Sequence, residues 1–500
     1  PHSDATAHKP RDGRRPERWL TQVMTSGQEH PAASDVLNRR VLAVAILAAF
    51  VAFLDSTVII VALPAITGEL GGGLTVQQWV VDAYLITLGA LILLAGSLSD
   101  LWGRRFVLRL GLWGFAITSL LCGLAPTAEF LIIARALQGV AGAMLVPSSL
   151  ALITSTHTGR ARATAIGVWT AWTSAAFLAG PLIGGLLTDL ASWRWVFVIN
   201  LLPIAVTLVL MRGLRADEAR GSTPVDGWGA ALGAVGLGGV VFALIEQTNF
   251  GWGSPVVLLP LALGVLSLAG FIVREQRTAH PMMPLGLFRL RNFAVGNAAT
   301  VSIYAALSLG TFIVPIYLQQ GAGLGATQAG LVLLPVTVLN IALSTWFGSL
   351  AGRYGSRWFM AVGPVIAAAG FLMMLAINEP FDFVGQALAG VILFGLGLAM
   401  TVAPLTAAIL GAVEQSQAGI ASAINNAVSR VAGLVAIALL GALIGTRVDD
   451  AWLDRGLILT AGLLIVGGLI SAVGITNRDA ARASDGPSDA GHDEHDGLAR

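Results

Sequence analysis

Charge is scarce in this chain: Asp, Glu, Lys and Arg make up 11% of its 500 residues, and hydrophobic residues make up 55%. An ordinary soluble domain carries about 25% charge. So few polar groups could not cover the surface of a water-soluble protein of this length, which argues against a soluble binding module. Cysteine is nearly missing. Cys122 is the single one, so no intrachain disulfide can form, and its place in an apolar run marks it as a small packing residue. Alternating segments of about ten residues, the mark of membrane-barrel strands, are lacking as well. No catalytic cluster or metal-spacing motif appears, so the expectation is a protein that is not an enzyme and needs neither metal nor other cofactor.

What the chain does contain is a succession of solid apolar blocks. Their length fits a hydrocarbon core about 30 Å thick, which takes about 20 helical residues to cross. The blocks predict an all-α polytopic membrane protein with about fourteen transmembrane helices, near 40–63, 75–97, 107–124, 128–152, 163–187, 193–211, 227–246, 255–273, 293–315, 327–348, 358–377, 382–410, 419–445 and 456–475. An even count puts both termini on one side. Arg104, Arg105, Arg109, Arg160, Arg162, Arg212, Arg215, Arg220, Arg274, Arg277, Arg289, Arg291, Arg353 and Arg357 fall in alternate loops. The excess of basic residues makes that side cytoplasmic. Trp79, Trp193 and Trp195 are then expected as interfacial anchors at the outer ends. Residues 1–38 read as a flexible cytoplasmic arm and 477–500 as a disordered cytoplasmic tail, whose His492, Asp493, Glu494 and His495 fit a solvated acidic segment.

The chain also repeats itself weakly. Gly96-Ser97-Leu98-Ser99-Asp100-Leu101-Trp102-Gly103-Arg104-Arg105 ends the second block, and Gly348-Ser349-Leu350-Ala351-Gly352-Arg353-Tyr354-Gly355-Ser356-Arg357 ends the tenth. Each lies two crossings into a set of six. The pattern predicts an N-terminal six-helix bundle over 39–212, a linker with two additional helices over 213–290 and a C-terminal six-helix bundle over 291–476. Duplicated halves are the sequence trace of a transporter that alternates access around a central site.

Polar residues inside these blocks need a reason, because a carboxylate at the bilayer centre costs about 2.5–3.5 kcal/mol on insertion scales. Asp55 lies past the middle of the first crossing and is a candidate proton-sensitive group. Arg135 cannot carry a proton cycle, but it can order a polar pocket with Gln138 and tune a carboxylate; Asp55, Asp82 and Glu129 are its possible partners. Asp82 is either a cavity group or an interfacial one. Asn425, Asn426 and Arg430 can share one face of the thirteenth crossing, and Gln319 and Asn340 are further candidates for the solute cavity. Ala176, Gly180 and Gly184, with Gly185 beside them, offer a smooth helix face, and Pro181 interrupts the hydrogen-bond ladder there. Gly96, Asp100, Gly103, Arg104 and Arg105 read as a conformational latch: a carboxylate pairing with basic residues across a tight glycine turn.

These strings resemble the major facilitator superfamily, specifically its fourteen-span drug:proton antiporter branch. Leu54 to Pro64 looks like that branch's first-helix signature, Gly96 to Arg105 is similar to the superfamily's loop motif, and Arg135-Ala136-Leu137-Gln138-Gly139-Val140 is similar to the fourth-helix motif. Gly180-Pro181-Leu182-Ile183-Gly184-Gly185 matches the antiporter motif of helix five, and Trp193 to Asn200 extends the likeness, which covers residues 36–475. The resemblance implies a proton-coupled exporter of hydrophobic or amphiphilic solutes in the cytoplasmic membrane, driven by the proton gradient. In that reading Asp55 is a coupling or cation-recognition residue, Arg135 the coupling arginine, and Gly180, Pro181, Gly184 and Gly185 the antiporter hinge. The tenth crossing has Pro335 and Asn340 but no acid, which weighs against dicationic drugs. The expected partners are small solutes, protons and lipid, without nucleic acid, the working unit being a monomer and a membrane or periplasmic partner left open. A proton-coupled uptake symporter on the same fold is the alternative, and a non-transporting sensor or scaffold a more distant one.

Overall fold

The computed structural model describes residues 31–157, 159–213, 226–279, 281–414 and 417–477. These residues form helices and no strands. In chain order the helices are α1 (Pro31–Val58, continuing through a 3-10 turn into Leu63–Leu70), α2 (Gly73–Trp102), α3 (Arg104–Gly123), α4 (Ala128–Thr156), α5 (Gly159–Leu190) and α6 (Trp195–Val198, then Leu201–Met211). There follow α7 (Gly227–Phe250), α8 (Pro255–Arg277), α9 (Arg291–Gln320), α10 (Ala326–Val332, then Leu334–Tyr354), α11 (Ser356–Met373), α12 (Leu388–Leu410), α13 (Ala418–Ile444) and α14 (Asp450–Gly474). Among the described residues, twelve helical segments are long and apolar enough to cross a membrane; Ala179–Leu190 and Trp195–Met211 are shorter apolar helices in the columns of α5 and α6. The arm before residue 31 and the tail from 478 onward lie outside the described residues.

Local chemistry sets the ends of these helices. Thr127, Asp226 and Asp449 cap α4, α7 and α14 by accepting the backbone N–H groups of Phe130, Gly229 and Trp452, which satisfies donors that a first helical turn leaves open. Gly103 and Gly355 make the turns after α2 and α10 with φ of 91° and 85°, a conformation that glycine alone adopts without steric cost. The two glycines stand at the same place in the two repeated strings.

The repeat also appears in the packing. α1 lies on α5 as α9 lies on α13; α2 and α3 lie on α4 as α10 and α11 lie on α12. The halves meet along two matching seams, α2 with α13 and α5 with α10. α7 and α8 form a hairpin closed by small residues: a Cβ added to Gly239 would stand 2.4 Å from the Pro260 carbonyl oxygen. Arg274 Nε bonds Asp226 Oδ1 at 2.6 Å across the hairpin's ends, and α7 rests on α2 and α13. Between the hairpin, α2, α9, α13 and α14 lies an apolar cavity of about 500 Å³, lined by Leu237, Phe271, Val301, Val431 and Leu459 among others.

The end of the bundle that carries the α1–α2 and α5–α6 turns, the distal end, is tied shut. The Gln78 side chain donates to the carbonyls of Ile437 and Ala438 across the α2–α13 seam. Asp189 accepts the backbone N–H groups of Ala326 and Thr327 at 3.0 and 2.8 Å, joining α5 to the start of α10. Two tryptophans at this end bond carboxylates of neighbouring segments. Trp193 is buried and donates to Glu69 at 2.7 Å, and Trp79 is half-buried and donates to Glu246 at 2.8 Å. The buried Trp193 is therefore not the interfacial anchor expected of it, while Trp195 is exposed. An indole N–H that meets a carboxylate gains a charge-assisted bond unavailable among lipid tails.

Candidate functional site

Asp55 stands three residues before α1 gives way to its 3-10 turn, and its carboxylate is fully buried. Arg135 of α4 reaches it with Nη1 at 2.7 Å from Oδ2, which decides among the three acids left open above. Oδ1 accepts Gln138 Nε2 at 3.1 Å and Asn200 Nδ2 at 2.9 Å. Ser119 Oγ of α3 accepts from both amides, at 3.0 and 3.4 Å. Arg135 has further partners: Nε donates to the Val80 carbonyl at 3.0 Å, Nη1 also to Gln138 Oε1 at 2.7 Å, and the guanidinium lies 4.4 Å above the ring of Tyr84. A buried ion pair persists when its remaining donors and acceptors are satisfied. Here α1, α2, α3, α4 and α6 all contribute.

Asn200, Ser119 and Tyr84 were not singled out from the sequence. Asn200 occupies the break between the two pieces of α6, and an amide at a helix break in an apolar run is the signal that could have marked it. Tyr84 is buried with its hydroxyl unpartnered.

The glycine string of α5 has a visible steric cause. A Cβ on Gly180 would stand 1.9 Å from Thr57 Oγ1, and one on Gly184 2.4 Å from the Val58 carbonyl oxygen, both on α1. A Cβ on Gly185 would stand 2.5 Å from Thr327 Cα, and one on Gly330 of α10 2.6 Å from the Pro181 carbonyl oxygen. This face therefore wedges between α1 and the outer piece of α10, backbone against backbone.

The other candidates separate. Asp82 is buried with neither carboxyl oxygen bonded, not exposed at an interface. Arg430 Nε donates to Asn426 Oδ1 at 2.9 Å on the half-buried face of α13. Asn425 faces elsewhere: it donates to Asn297 Oδ1 and Thr300 Oγ1 at 3.2 and 2.8 Å, joining α13 to α9. Gln319 donates to the Pro315 carbonyl of its own helix, and Asn340 is half-buried on α10. Of the latch string, Gly103 makes the turn and Gly96 has open space around its Cα, while the Asp100 side chain falls outside the described residues. No group of three or more metal-ligating side chains is present among the described residues.

Two repeated helical bundles that meet on matched seams, with an ion pair buried at the core of one, define a multi-pass membrane transporter of small solutes. The chain belongs to the Major Facilitator Superfamily, whose sequence profile matches residues 45–437 and 296–493. It is 34% identical to the tetracenomycin C resistance and export protein of Streptomyces glaucescens over 437 residues, covering 86% of this chain and 80% of that one. It is also 34% identical to the multidrug efflux pump LfrA of Mycolicibacterium smegmatis, covering 82% of each. Among solved structures, a peptide transporter POT superposes with a TM-score of 0.65 at 16% identity, covering 86% of this chain and 93% of that one. A D-xylose-proton symporter gives 0.62 at 15%, covering 89% and 99%. At such identities the likeness is one of fold.

Proposed function

We propose that this transporter is a proton-coupled exporter of hydrophobic or amphiphilic drug-like solutes, working as a monomer in the cytoplasmic membrane. All fourteen helical columns cross in this reading, and both termini are cytoplasmic. The curated relatives named for resistance and export support the direction, and the alternating arginine loops support the orientation. The distal end is then the outer one, and the conformation is closed to the outside. The apolar cavity of about 500 Å³ beside α7 and α8 has the size of a drug-like ligand site.

The observation that carries the coupling is the Asp55–Arg135 pair. A proton on Asp55 cancels the attraction, frees Arg135 Nη1, and loosens α1 from α4; loss of the proton restores the pair and the α1–α5 wedge above it. Each proton moving down 100 mV contributes about 2.3 kcal/mol, enough for about fiftyfold accumulation before losses. The test is solute-dependent proton release from acid-loaded inverted vesicles, followed with a pH dye. Wild type should release protons when a carried solute is added, and Asp55→Asn and Arg135→Ala, inserted normally, should not. Proton release by Asp55→Asn at the wild-type rate would remove Asp55 from the mechanism. The uptake symporter, represented among fold neighbours by the D-xylose-proton symporter, predicts the opposite solute movement.

A further inference from the structure

Among the described residues α8 packs closely against α7 and against no other helix. Leu268 and Phe271 of α8 line the apolar cavity of about 500 Å³, whose far walls are α9, α13 and α14. The cavity is long. Its α13 wall runs from Ile424 to Leu443, about 28 Å along a helix, close to the whole thickness of a hydrocarbon core of about 30 Å. Every residue that lines it is apolar, so it offers water no hydrogen-bond partner. Two glycines keep it open. In a membrane helix glycine ordinarily marks the close approach of another backbone, as Gly239 does on α7, but a Cβ on Gly89 of α2 or on Gly233 of α7 would meet nothing within 4 Å. A gap of this kind forfeits packing contacts unless hydrocarbon fills it.

One end of the cavity, lined by Met282 and Met283, is basic. The Met283 N–H donates to Glu275 Oε2 at 2.8 Å, which folds the segment after α8 back onto its last turn, and Arg274 holds the start of α7 at the same place through Asp226. Asp226 is thus paired and Glu275 is buried. Arg277 in the last turn of α8 and Arg289 just before α9 are exposed instead, and neither forms an ion pair among the described residues. Exposed guanidinium groups at the end of an apolar slot match a phosphate above a hydrocarbon tail.

We propose that this cavity seats an acyl chain of an anionic phospholipid, with the lipid phosphate at Arg277 and Arg289, so that bound lipid fills the gap between α8 and the C-terminal bundle. The inference goes beyond the export reading and needs only that the α7–α8 hairpin lies in a bilayer. A drug-like solute would fit by volume. A wholly apolar slot nearly as long as the membrane is thick, with cations at one end, has the form of a lipid rather than of a compact solute.

The test uses the purified full chain, delipidated in detergent and then incubated with phosphatidylglycerol or phosphatidylcholine of identical acyl chains. Native mass spectrometry counts the lipids retained. Wild type should retain one phosphatidylglycerol, about tenfold or more tightly than phosphatidylcholine. Gly233→Leu and Gly89→Leu, each placing a side chain in open space, should lose that lipid. Arg277→Gln combined with Arg289→Gln should bind the two lipids alike. Wild type retaining no lipid, or both lipids equally, would overturn the inference even if a glycine variant failed to fold. So would wild-type retention in both glycine variants, or an unchanged preference in the double arginine variant. Loss of solute export in Gly233→Leu with lipid retention unchanged would assign the cavity to the solute, overturning the inference while leaving the export reading intact. Lipid retention by a wild-type chain that moves no solute in proteoliposomes would count against export alone.

Discussion

Arg135 Nη1 and Asp55 Oδ2 meet at 2.7 Å with both side chains fully buried, although eighty residues separate them in the chain. The pair fastens α4 to α1 at the level where α1 leaves α-helical geometry, and Asn200 and Gln138 occupy the carboxylate's other oxygen. A contact of this kind is expensive to half-remove, because deleting one partner leaves the other charge buried alone.

Asp55→Leu should therefore lower stability by about 3–5 kcal/mol, and Asp55→Leu combined with Arg135→Leu should recover most of that loss without restoring transport. Thermal unfolding of the detergent-purified variants, monitored by intrinsic fluorescence, measures both effects.

Asp82 should behave in the opposite way. Its buried oxygens have no partners, so replacing it removes a desolvated polar group instead of breaking a bond. Asp82→Leu should leave the melting temperature unchanged or raise it by an amount corresponding to about 1–3 kcal/mol. Thermal unfolding of the detergent-purified variant beside wild type checks this, and a loss of stability comparable to that of Asp55→Leu would contradict it.

Asn200→Ala should lower stability by about 1–3 kcal/mol, because it removes the buried amide that donates to Asp55 Oδ1 at 2.9 Å and leaves the carboxylate one hydrogen bond short. Thermal unfolding of the detergent-purified variant beside wild type provides the comparison.

Gly185→Val should hold the distal end open. Its Cβ would fall 2.5 Å from Thr327 Cα, where only backbone lies in the way. Transport should fall at least tenfold, and spin labels placed on α5 and α10 near Asp189 and Thr327 should report a longer distance than in wild type. Gly167→Val on the same helix, with open space around its Cα, should leave the distance unchanged.

Much of this was legible in the apolar blocks. The seventh block was expected at 227–246 and the helix is Gly227–Phe250; the thirteenth was expected at 419–445 and the helix is Ala418–Ile444. Block edges are readable because each ends where a glycine, a cap or a charge makes the hydrocarbon core unfavourable. The breaks at 59–62 and at Leu333 were not readable. The prolines that cause them, Pro64 and Pro335, look no different in sequence from Pro147, which α4 accommodates without a break. Asp55 and Arg135 stood out individually, being charges in apolar runs. Their pairing and the support of Ser119, Asn200 and Tyr84 did not, since those contacts join five helices and depend on how the helices rotate against one another. The burial of Trp193 was unreadable for a related reason: a tryptophan near a helix end has the same sequence signature whether it meets lipid or a carboxylate on a neighbouring helix.

The most direct test of coupling through Asp55 and Arg135 is solute movement in proteoliposomes of known protein orientation under an imposed pH gradient of either sign. A panel of hydrophobic and amphiphilic drug-like solutes serves as probes. The account expects wild type to move solute against the direction of proton entry, to reverse that movement when the gradient is reversed, and to lose both responses in Asp55→Asn. Solute moving in the same direction as the protons, or Asp55→Asn following the gradient as wild type does, would contradict it.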